Sequence, residues 1–198
     1  MKKQFRGTFT ALVTPFRKDG SIDIEVYEKL IEWQIASGID GIVCCASTGE
    51  GATLELDEYK LLFETAVRVA KKRVPVIAGA SNNNTKRAVE LSKIAEEAGV
   101  NALLHTNPYY NKPTLSGLIA HFGAIADACD LPIIIYNVPG RTAANMTAET
   151  TLAIVKAIPS VVGIKEASGN IPQIMDIIQE APSYFSVLSG DDSLTLLL

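Results

Sequence analysis

The sequence predicts an α/β protein of the (β/α)8 TIM-barrel class, with seven of the strands visible in its 198 residues. Three observations carry this. Short β-prone runs alternate with longer helical patterns, and strand starts recur every 24 to 33 residues. Such alternation implies a parallel sheet with helices packed outside it. Runs such as Ile133-Ile134-Ile135 suit strands buried on both faces. The first strand–turn region, Gly7–Gly20, has no Gly-x-Gly-x-x-Gly phosphate fingerprint. That weakens the competing architecture, an open doubly wound sheet.

The strand candidates, in order, are Thr8–Val13, Gly41–Cys45, Val74–Ala78, Ala102–His105, Ile133–Tyr136, Val161–Lys165 and Phe185–Leu188. Helical spacing of i, i+3 and i+4 fills the gaps. Val26, Leu30, Ile31 and Ile35 form the first apolar face, closed by Gly38. Leu61, Leu62, Thr65, Ala66 and Val69 form the second. Ala88, Leu91, Ala95 and Ala98 form the third, closed by Gly99. Leu118, Phe122, Ile125 and Ala126 form the fourth. Thr147 is placed to N-cap the helix carrying Leu152, Val155 and Lys156, and Pro172 suits a first helical turn before Ile174, Ile177 and Ile178. The eighth strand and the C-terminal helices of such a barrel would fall past residue 198. The apolar run Leu194-Thr195-Leu196-Leu197-Leu198 reads as an end inside the helix that follows the seventh strand. The expectation is therefore one catalytic domain over residues 1–198, incomplete at its C-terminus and with two open sheet edges.

Composition excludes several classes. With 47% hydrophobic and 20% charged residues, the chain can bury a sizeable core, unlike a disordered or disulfide-stapled protein. A net charge of −4 offers no basic excess for nucleic acid or an anionic membrane. No apolar run approaches the roughly 18 residues needed to span a bilayer. The basic start, Met1-Lys2-Lys3-Gln4-Phe5-Arg6, is interrupted by Thr10, Thr14 and Pro15, which makes a poor signal peptide. Three cysteines, two of them adjacent (Cys44 and Cys45), suit a reduced, cytoplasmic setting. His105 and His121 are not spaced as a ligand pair, and no Cys-x-x-Cys, His-Glu-x-x-His or Gly-x-Ser-x-Gly occurs. Metal and serine-hydrolase chemistry are not signalled.

Active groups of a barrel sit at the C-terminal ends of its strands, and polar residues gather there in this sequence. Lys165 follows Val161-Val162-Gly163-Ile164 directly, so it lies on a strand. Strict alternation puts Val161, Gly163 and Lys165 on one face, with Gly163 leaving room for the long side chain. If that face is the barrel interior, burial favours the neutral amine, which can attack a ketone and form a Schiff base. The plain alternative is a lysine reaching out to water from a strand end. Tyr136 ends an aliphatic strand and can shuttle protons there, or be a core aromatic with a satisfied hydroxyl. Tyr110 sits in a proline-bounded loop as a site aromatic or a packing plug. Ser47 and Thr48 can bond a carboxylate or pass a proton, although Ser47-Thr48-Gly49-Glu50 also matches a structural capping box. Arg141, beside Gly140 in a turn, can clamp a carboxylate with two parallel hydrogen bonds or simply face water.

Taken in order, these segments resemble the dihydrodipicolinate synthase/N-acetylneuraminate lyase family of Schiff-base-forming pyruvate aldolases. The resemblance runs from about Gly7 to the last residue. It rests on Gly7–Phe16, Ser47–Glu50, Pro75–Gly79, Pro108–Pro113, Tyr136–Arg141, Gly163–Asn170 and Ser189–Asp192. It implies that Lys165 forms the Schiff base with pyruvate and that Tyr136 donates and accepts protons above it. Thr48 and Gly49 would hold the pyruvate carboxylate, and Ser47 or Thr48 would link Tyr136 to Tyr110. Tyr110 would reach a partner subunit's site, and Arg141 would bind the carboxylate of the second substrate. No cofactor is implied, since pyruvate is bound covalently as a substrate. A homo-oligomer of tight dimers, assembled as a tetramer, is implied.

Tyr136–Arg141 and Lys165–Asn170 resemble the synthase branch, which joins pyruvate to L-aspartate-4-semialdehyde in lysine and diaminopimelate biosynthesis. Ser47 departs from that branch, where a second threonine is usual. Other pyruvate aldolases of the family, such as the sialic acid lyases, are the alternative. A chain that folds or binds a partner without catalysis is a further one. The positions matching the family's feedback site for lysine include Leu56, Tyr59, Asn83, Arg87 and Tyr109. Arg87 stands where a glutamate would pair with the lysine α-amino group, so lysine is expected to inhibit weakly or not at all.

Overall fold

The structure, a computed structural model, describes residues 4–194. Seven strands form one parallel sheet: β1 (Phe9–Ala11), β2 (Gly41–Cys44), β3 (Val76–Gly79), β4 (Ala102–Thr106), β5 (Ile133–Asn137), β6 (Val161–Glu166) and β7 (Ser186–Ser189). They pair in sequence order, each with the next. A doubly wound sheet reverses its strand order at a switch point. This one never reverses, so it curls as a half-barrel and the open-sheet alternative is removed. The helices are α1 (Ile24–Ala36), α2 (Leu56–Ala70), α3 (Thr85–Glu97), α4 (Leu115–Ala126), α5 (Pro139–Thr142), α6 (Ala148–Ala157) and α7 (Ile171–Glu180). None is long and apolar enough to cross a membrane.

Local chemistry sets the helix ends. Asp23, Asn84, Thr114, Thr147 and Asn170 each accept a backbone N–H at a helix start, satisfying donors the helix cannot. Gly38 and Gly99, at φ +88 and +82, end α1 and α3 in the left-handed region. Three apolar positions assigned to helix faces lie outside them: Val26, Leu61 and Ile178 are exposed. In α1 the buried aromatic is instead Tyr27, one residue on.

The sheet separates two cores. The larger, between sheet and helices, holds Ile42, Phe63, Leu103, Phe122, Ile133, Ile135 and Ile164. The smaller fills the inside of the curl with Phe5, Val43, Ile77, Leu104, Ile134, Tyr136 and Val162. β6 does not alternate strictly. Its register with β5 runs Ile133↔Val161 and then Ile134↔Gly163, one residue being inserted. The bulge turns Val161 to the helix side and Val162 to the inside. Val161 therefore does not share a face with Lys165, whereas Gly163 does. The lack of a side chain at Gly163 serves β7: a Cβ there would lie 2.8 Å from the Ser186 carbonyl oxygen.

β1 and β7 are the two edges, and no eighth strand lies among the described residues. The N-terminal segment crosses the seam between them. The Phe5 N–H donates to Ser186 Oγ at 2.9 Å, and Gln4 reaches the Ser183 carbonyl. A cavity of about 590 Å³ occupies the seam and extends to Lys165. Asp192–Leu194 form a short 3-10 turn after β7. The expected helix end at Leu196-Leu197-Leu198 lies outside the described residues.

Two histidines are buried in the helix-side layer. Ser92 Oγ uses its one hydrogen on the Ala88 carbonyl, at 2.6 Å, so His105 Nε2 must donate to Ser92 at 3.1 Å. His121 Nδ1 lies 2.9 Å from Thr85 Oγ1. Burial holds both neutral, pushing His105 to about 3, with His121 adding to the effect, and His121 to about 4. An unfolded histidine takes its proton near about 6.5. The unfolded chain thus binds more protons below that pH, and stability present above it is lost as pH falls towards 3. His105→Leu is expected to flatten the decline of the unfolding midpoint between pH 6.5 and 4, measured by thermal melts against the unsubstituted protein.

Candidate active site

The strand ends converge on a cavity of about 400 Å³. Ala46, Ser47, Thr48, Tyr136, Val138, Arg141, Lys165, Ala167, Gly190, Asp191 and Asp192 line it. Five of the predicted site residues, Ser47, Thr48, Tyr136, Arg141 and Lys165, meet here. Lys165 and Tyr136 are direct cross-strand neighbours in the β5–β6 register. The Lys165 ammonium sits 4.6 Å from the centre of the Tyr136 ring, within cation–π range. Their shared face is the inside of the curl, so Lys165 does not reach out to water from its strand end, and Tyr136 belongs to the smaller core while also lining the cavity.

Burial lowers the Lys165 pKa from its ordinary value of 10.5. Asp192 opposes that by attraction, and Arg141 adds to it by repulsion. Burial also raises the Tyr136 phenol, which Arg141 partly offsets. Desolvation disfavours each group's charged form. The pocket thus pairs an amine pushed towards its neutral, nucleophilic state with a phenol that keeps its proton. Together they can form a carbon–nitrogen bond and pass a proton.

Ser47, Thr48 and Gly49 make a 3-10 turn after β2, where no side chain caps the N-terminal end. The capping box lies instead at Glu55 and Glu58, where the Glu55 N–H donates to Glu58 at 2.9 Å. Ser47 and Thr48 are both exposed and line the cavity. Gly49 is buried behind them rather than lining the cavity. Thr14 Oγ1 donates to its carbonyl at 2.7 Å, and a Cβ on Gly49 would come within 2.9 Å of the Leu12 carbonyl oxygen. Arg141 lies in α5, a single helical turn begun by Pro139, rather than in an irregular turn. Tyr110 stands apart from the cavity. It is 89% exposed with φ +71, so the plug alternative fails for it.

A third cavity, of about 310 Å³, shares Ser47, Tyr136 and Arg141 and continues to Tyr59 and Tyr109. Tyr59 is buried, and its hydroxyl donates to the Gly51 carbonyl at 2.6 Å. Arg87 pairs with Glu90 at 3.0 Å, and Asn83 donates to the Tyr109 carbonyl at 3.3 Å. Cys44, Cys45 and Cys129 are buried free thiols. Among the described residues no cluster of three or more His, Cys, Asp or Glu side chains is placed to hold a metal ion.

Gly190 and Asp192 lie in the Ser189–Asp192 segment that carries the resemblance, but the sequence reading gave neither a role at the site. A Cβ on Gly190 would lie 2.9 Å from Lys165 Cε and 3.2 Å from its Cγ. Gly190, not Gly163, is the glycine that makes room for the lysine stem. The usable signal is its place just past a strand, where glycine marks a close approach.

Fold and cavity define an α/β barrel-type protein whose pocket is built around a strand-borne lysine. The sequence profile of the Dihydrodipicolinate synthetase family matches residues 4–198. The chain belongs to that family. It is 54% identical over 194 residues to the 4-hydroxy-tetrahydrodipicolinate synthase of Maridesulfovibrio salexigens, covering 98% of this chain and 66% of the relative. The crystal structure of dihydrodipicolinate synthase from Aquifex aeolicus superposes with a TM-score of 0.94 at 42% identity, over 98% of this chain and 66% of that one. The enzyme from Cyanidioschyzon merolae with lysine bound gives 0.94 at 43% identity, over 98% and 67%. The chain thus spans about two thirds of the length of the relatives it matches.

The electrostatics of Lys165 can be tested without any substrate. Asp192→Asn removes the one attraction that raises its pKa, so the midpoint for reaction with an amine-selective reagent should fall. Arg141→Met should raise it. Peptide-resolved labelling against pH reads both shifts, and movement in the opposite sense would contradict the assigned causes.

Proposed function

We propose that this protein condenses pyruvate with L-aspartate-4-semialdehyde to 4-hydroxy-tetrahydrodipicolinate through a Schiff base on Lys165. Membership of the family and the names of the relatives support the reaction class. The observation that carries the reading is the half-buried Lys165, its pKa lowered, in register with Tyr136 inside a cavity that also exposes Ser47, Thr48 and Arg141.

The neutral amine of Lys165 attacks the pyruvate ketone carbon, and water leaves as the imine forms. Loss of a methyl proton gives the enamine, whose terminal carbon attacks the aldehyde. The aldehyde oxygen takes a proton as the carbon–carbon bond forms. The amino group of the second substrate then adds to the imine carbon and expels Lys165 as the ring closes. Tyr136 is the proton donor and acceptor, since its raised pKa keeps a proton available beside the reacting carbon. Thr48 receives the pyruvate carboxylate, Gly49 backs the turn with its N–H given to the Ala46 carbonyl at 3.0 Å, and Ser47 continues the hydroxyl relay towards Tyr110. Arg141 receives the carboxylate of the semialdehyde, for which a planar guanidinium is suited. No cofactor takes part. Tyr110, exposed and apart from this copy's cavity, completes the relay in a partner copy within a tight dimer of a tetramer, and the protein works in the cytoplasm.

Borohydride reduction in the presence of pyruvate should leave a covalent adduct on the peptide containing Lys165, and none in Lys165→Ala. An unlabelled intact protein would refute the Schiff-base reading. Arg141→Ala should reduce turnover of aspartate semialdehyde by about 10²-fold, a loss typical of removing a charged positioning group, while leaving pyruvate trapping largely intact. Faster turnover of N-acetylneuraminate than of the semialdehyde would move the protein to another branch of the family.

The feedback site is a separate expectation. Arg87 presents a cation where the lysine α-amino group would sit, and its exposed pair with Glu90 is too weak to cancel that charge. Free lysine should leave the coupled condensation rate unchanged up to millimolar concentration. Inhibition below that range would show that Arg87 does not exclude it.

A further inference from the structure

Behind the catalytic face lies a buried polar cluster to which the proposed reaction assigns no part. Asn137 and Glu166 follow Tyr136 and Lys165 directly, so they point to the opposite, helix-side face of β5 and β6. They too are register partners. Asn137 is fully buried and Glu166 is 1% exposed. Asn137 Nδ2 lies 3.1 and 3.0 Å from the two Glu166 oxygens, which share one of its hydrogens, and gives the other to Asn145 Oδ1 at 2.8 Å. The Ser168 N–H donates to Glu166 Oε1 at 2.7 Å, and Gln173 Nε2 to Oε2 at 3.1 Å. Asn137 Oδ1 accepts from the Met146 N–H at 2.9 Å. One carboxylate is thereby held by donors from three places: the end of β5, its own strand's exit loop and the first turn of α7. None of the ion pairs among the described residues includes Glu166.

We propose that Glu166, held by Asn137 and Gln173, is a positioning residue that locks the ends of β5 and β6 in register and so holds Lys165 against Tyr136. The inference deepens the reaction proposed above, but its structural core does not depend on that reaction. Strand ends fray, and β5 and β6 carry their reactive side chains on their last two residues. On the inside, the contact between ammonium and ring leaves both groups free to move with substrate. The rigid constraint comes from the other face, where the next residue of each strand is tied to its neighbour. Only a carboxylate meets the demand, because every partner named is an N–H donor and an acceptor-only group receives them all. In Glu166→Gln an amide NH2 either faces the fixed Ser168 N–H or makes Gln173 turn its own amide and give up the Asn145 Nδ2 bond of 2.8 Å, so the cluster loses a bond either way. The isosteric change therefore unlocks the register without altering the volume.

The test reads the Lys165–Tyr136 contact directly. In protein carrying 13C-labelled lysine, the ε-methylene protons of Lys165, assigned by their loss in Lys165→Arg, should be shifted upfield by the Tyr136 ring. Glu166→Gln should lose at least half of that shift. It should also lower kcat by about 10–100-fold, the range expected for a small misplacement of reacting groups, with KM for pyruvate changed less than threefold. Gln173→Ala, which removes one donor far from the cavity, should give a smaller change of the same kind, and it decides the matter if Glu166→Gln does not fold. Folded variants that keep both the upfield shift and kcat would overturn the proposal. So would a lowered melting temperature with shift and kcat unchanged, since the cluster would then only fasten α7. Failure of the unsubstituted protein to trap pyruvate would count against the proposed reaction alone, because the ring-current measurement still decides whether Glu166 sets the contact.

Discussion

The register between β5 and β6 is the constraint on which the site depends. Two parallel strands buried on both faces present consecutive residues to opposite layers. One pairing therefore places Tyr136 beside Lys165 on the inside and Asn137 beside Glu166 on the outside. A slip of one residue would exchange the layers, sending the ammonium into the helix-side core and the carboxylate into the cavity. The bulge at Val162 sets this phase. Without the extra residue, Val161 rather than Val162 would fill the inside of the curl.

Electrostatics follow from that placement. Burial opposes charge on Lys165 and Tyr136 alike, but in opposite chemical senses: the amine tends to lose its proton and the phenol to keep it. Arg141 pushes both pKa values down. Asp192 pulls only Lys165 back up, which limits how far the amine can be neutralised. The state of Lys165 is thus a balance of one desolvation, one attraction and one repulsion. The two outer charges come from different loops, after β5 and β7, that reach the cavity only when the sheet curls.

Much of this was legible in the sequence, for identifiable reasons. The seven strands were visible because parallel strands covered by helices read as short aliphatic runs at regular intervals. Their observed limits differ from the expected ones by two residues or fewer at each end. Thr147 and Asn170 act locally on their own helices, so Thr147 could be recognised as a cap. The bulge was missed because strict alternation assumes a regular ladder, although Gly163 inside the strand was a usable signal, since glycine there often marks a bulge. Pro139-Gly140-Arg141 reads as a turn, yet proline at a first helical position starts α5 there. The cluster around Glu166 was beyond local reading, since Asn137 and Gln173 come from separate elements that only the fold brings together.

The two glycines near the lysine show why a correct motif can carry an incorrect reason. Gly163 precedes Lys165 by two residues and shares its face, so sequence spacing makes it the natural source of room for the side chain. The backbone of β7, however, occupies that room. The space for the lysine stem comes from Gly190, which is distant in sequence and delivered by β7 through the bond from its N–H to the Glu166 carbonyl, at 2.7 Å. β7 thus depends on Gly163 to approach β6, and Lys165 depends on β7 to bring Gly190 and Asp192 to its side. The seam cavity between β7 and β1 also reaches Lys165, so whatever fills it excludes water from the amine and strengthens the desolvation that lowers the lysine's pKa.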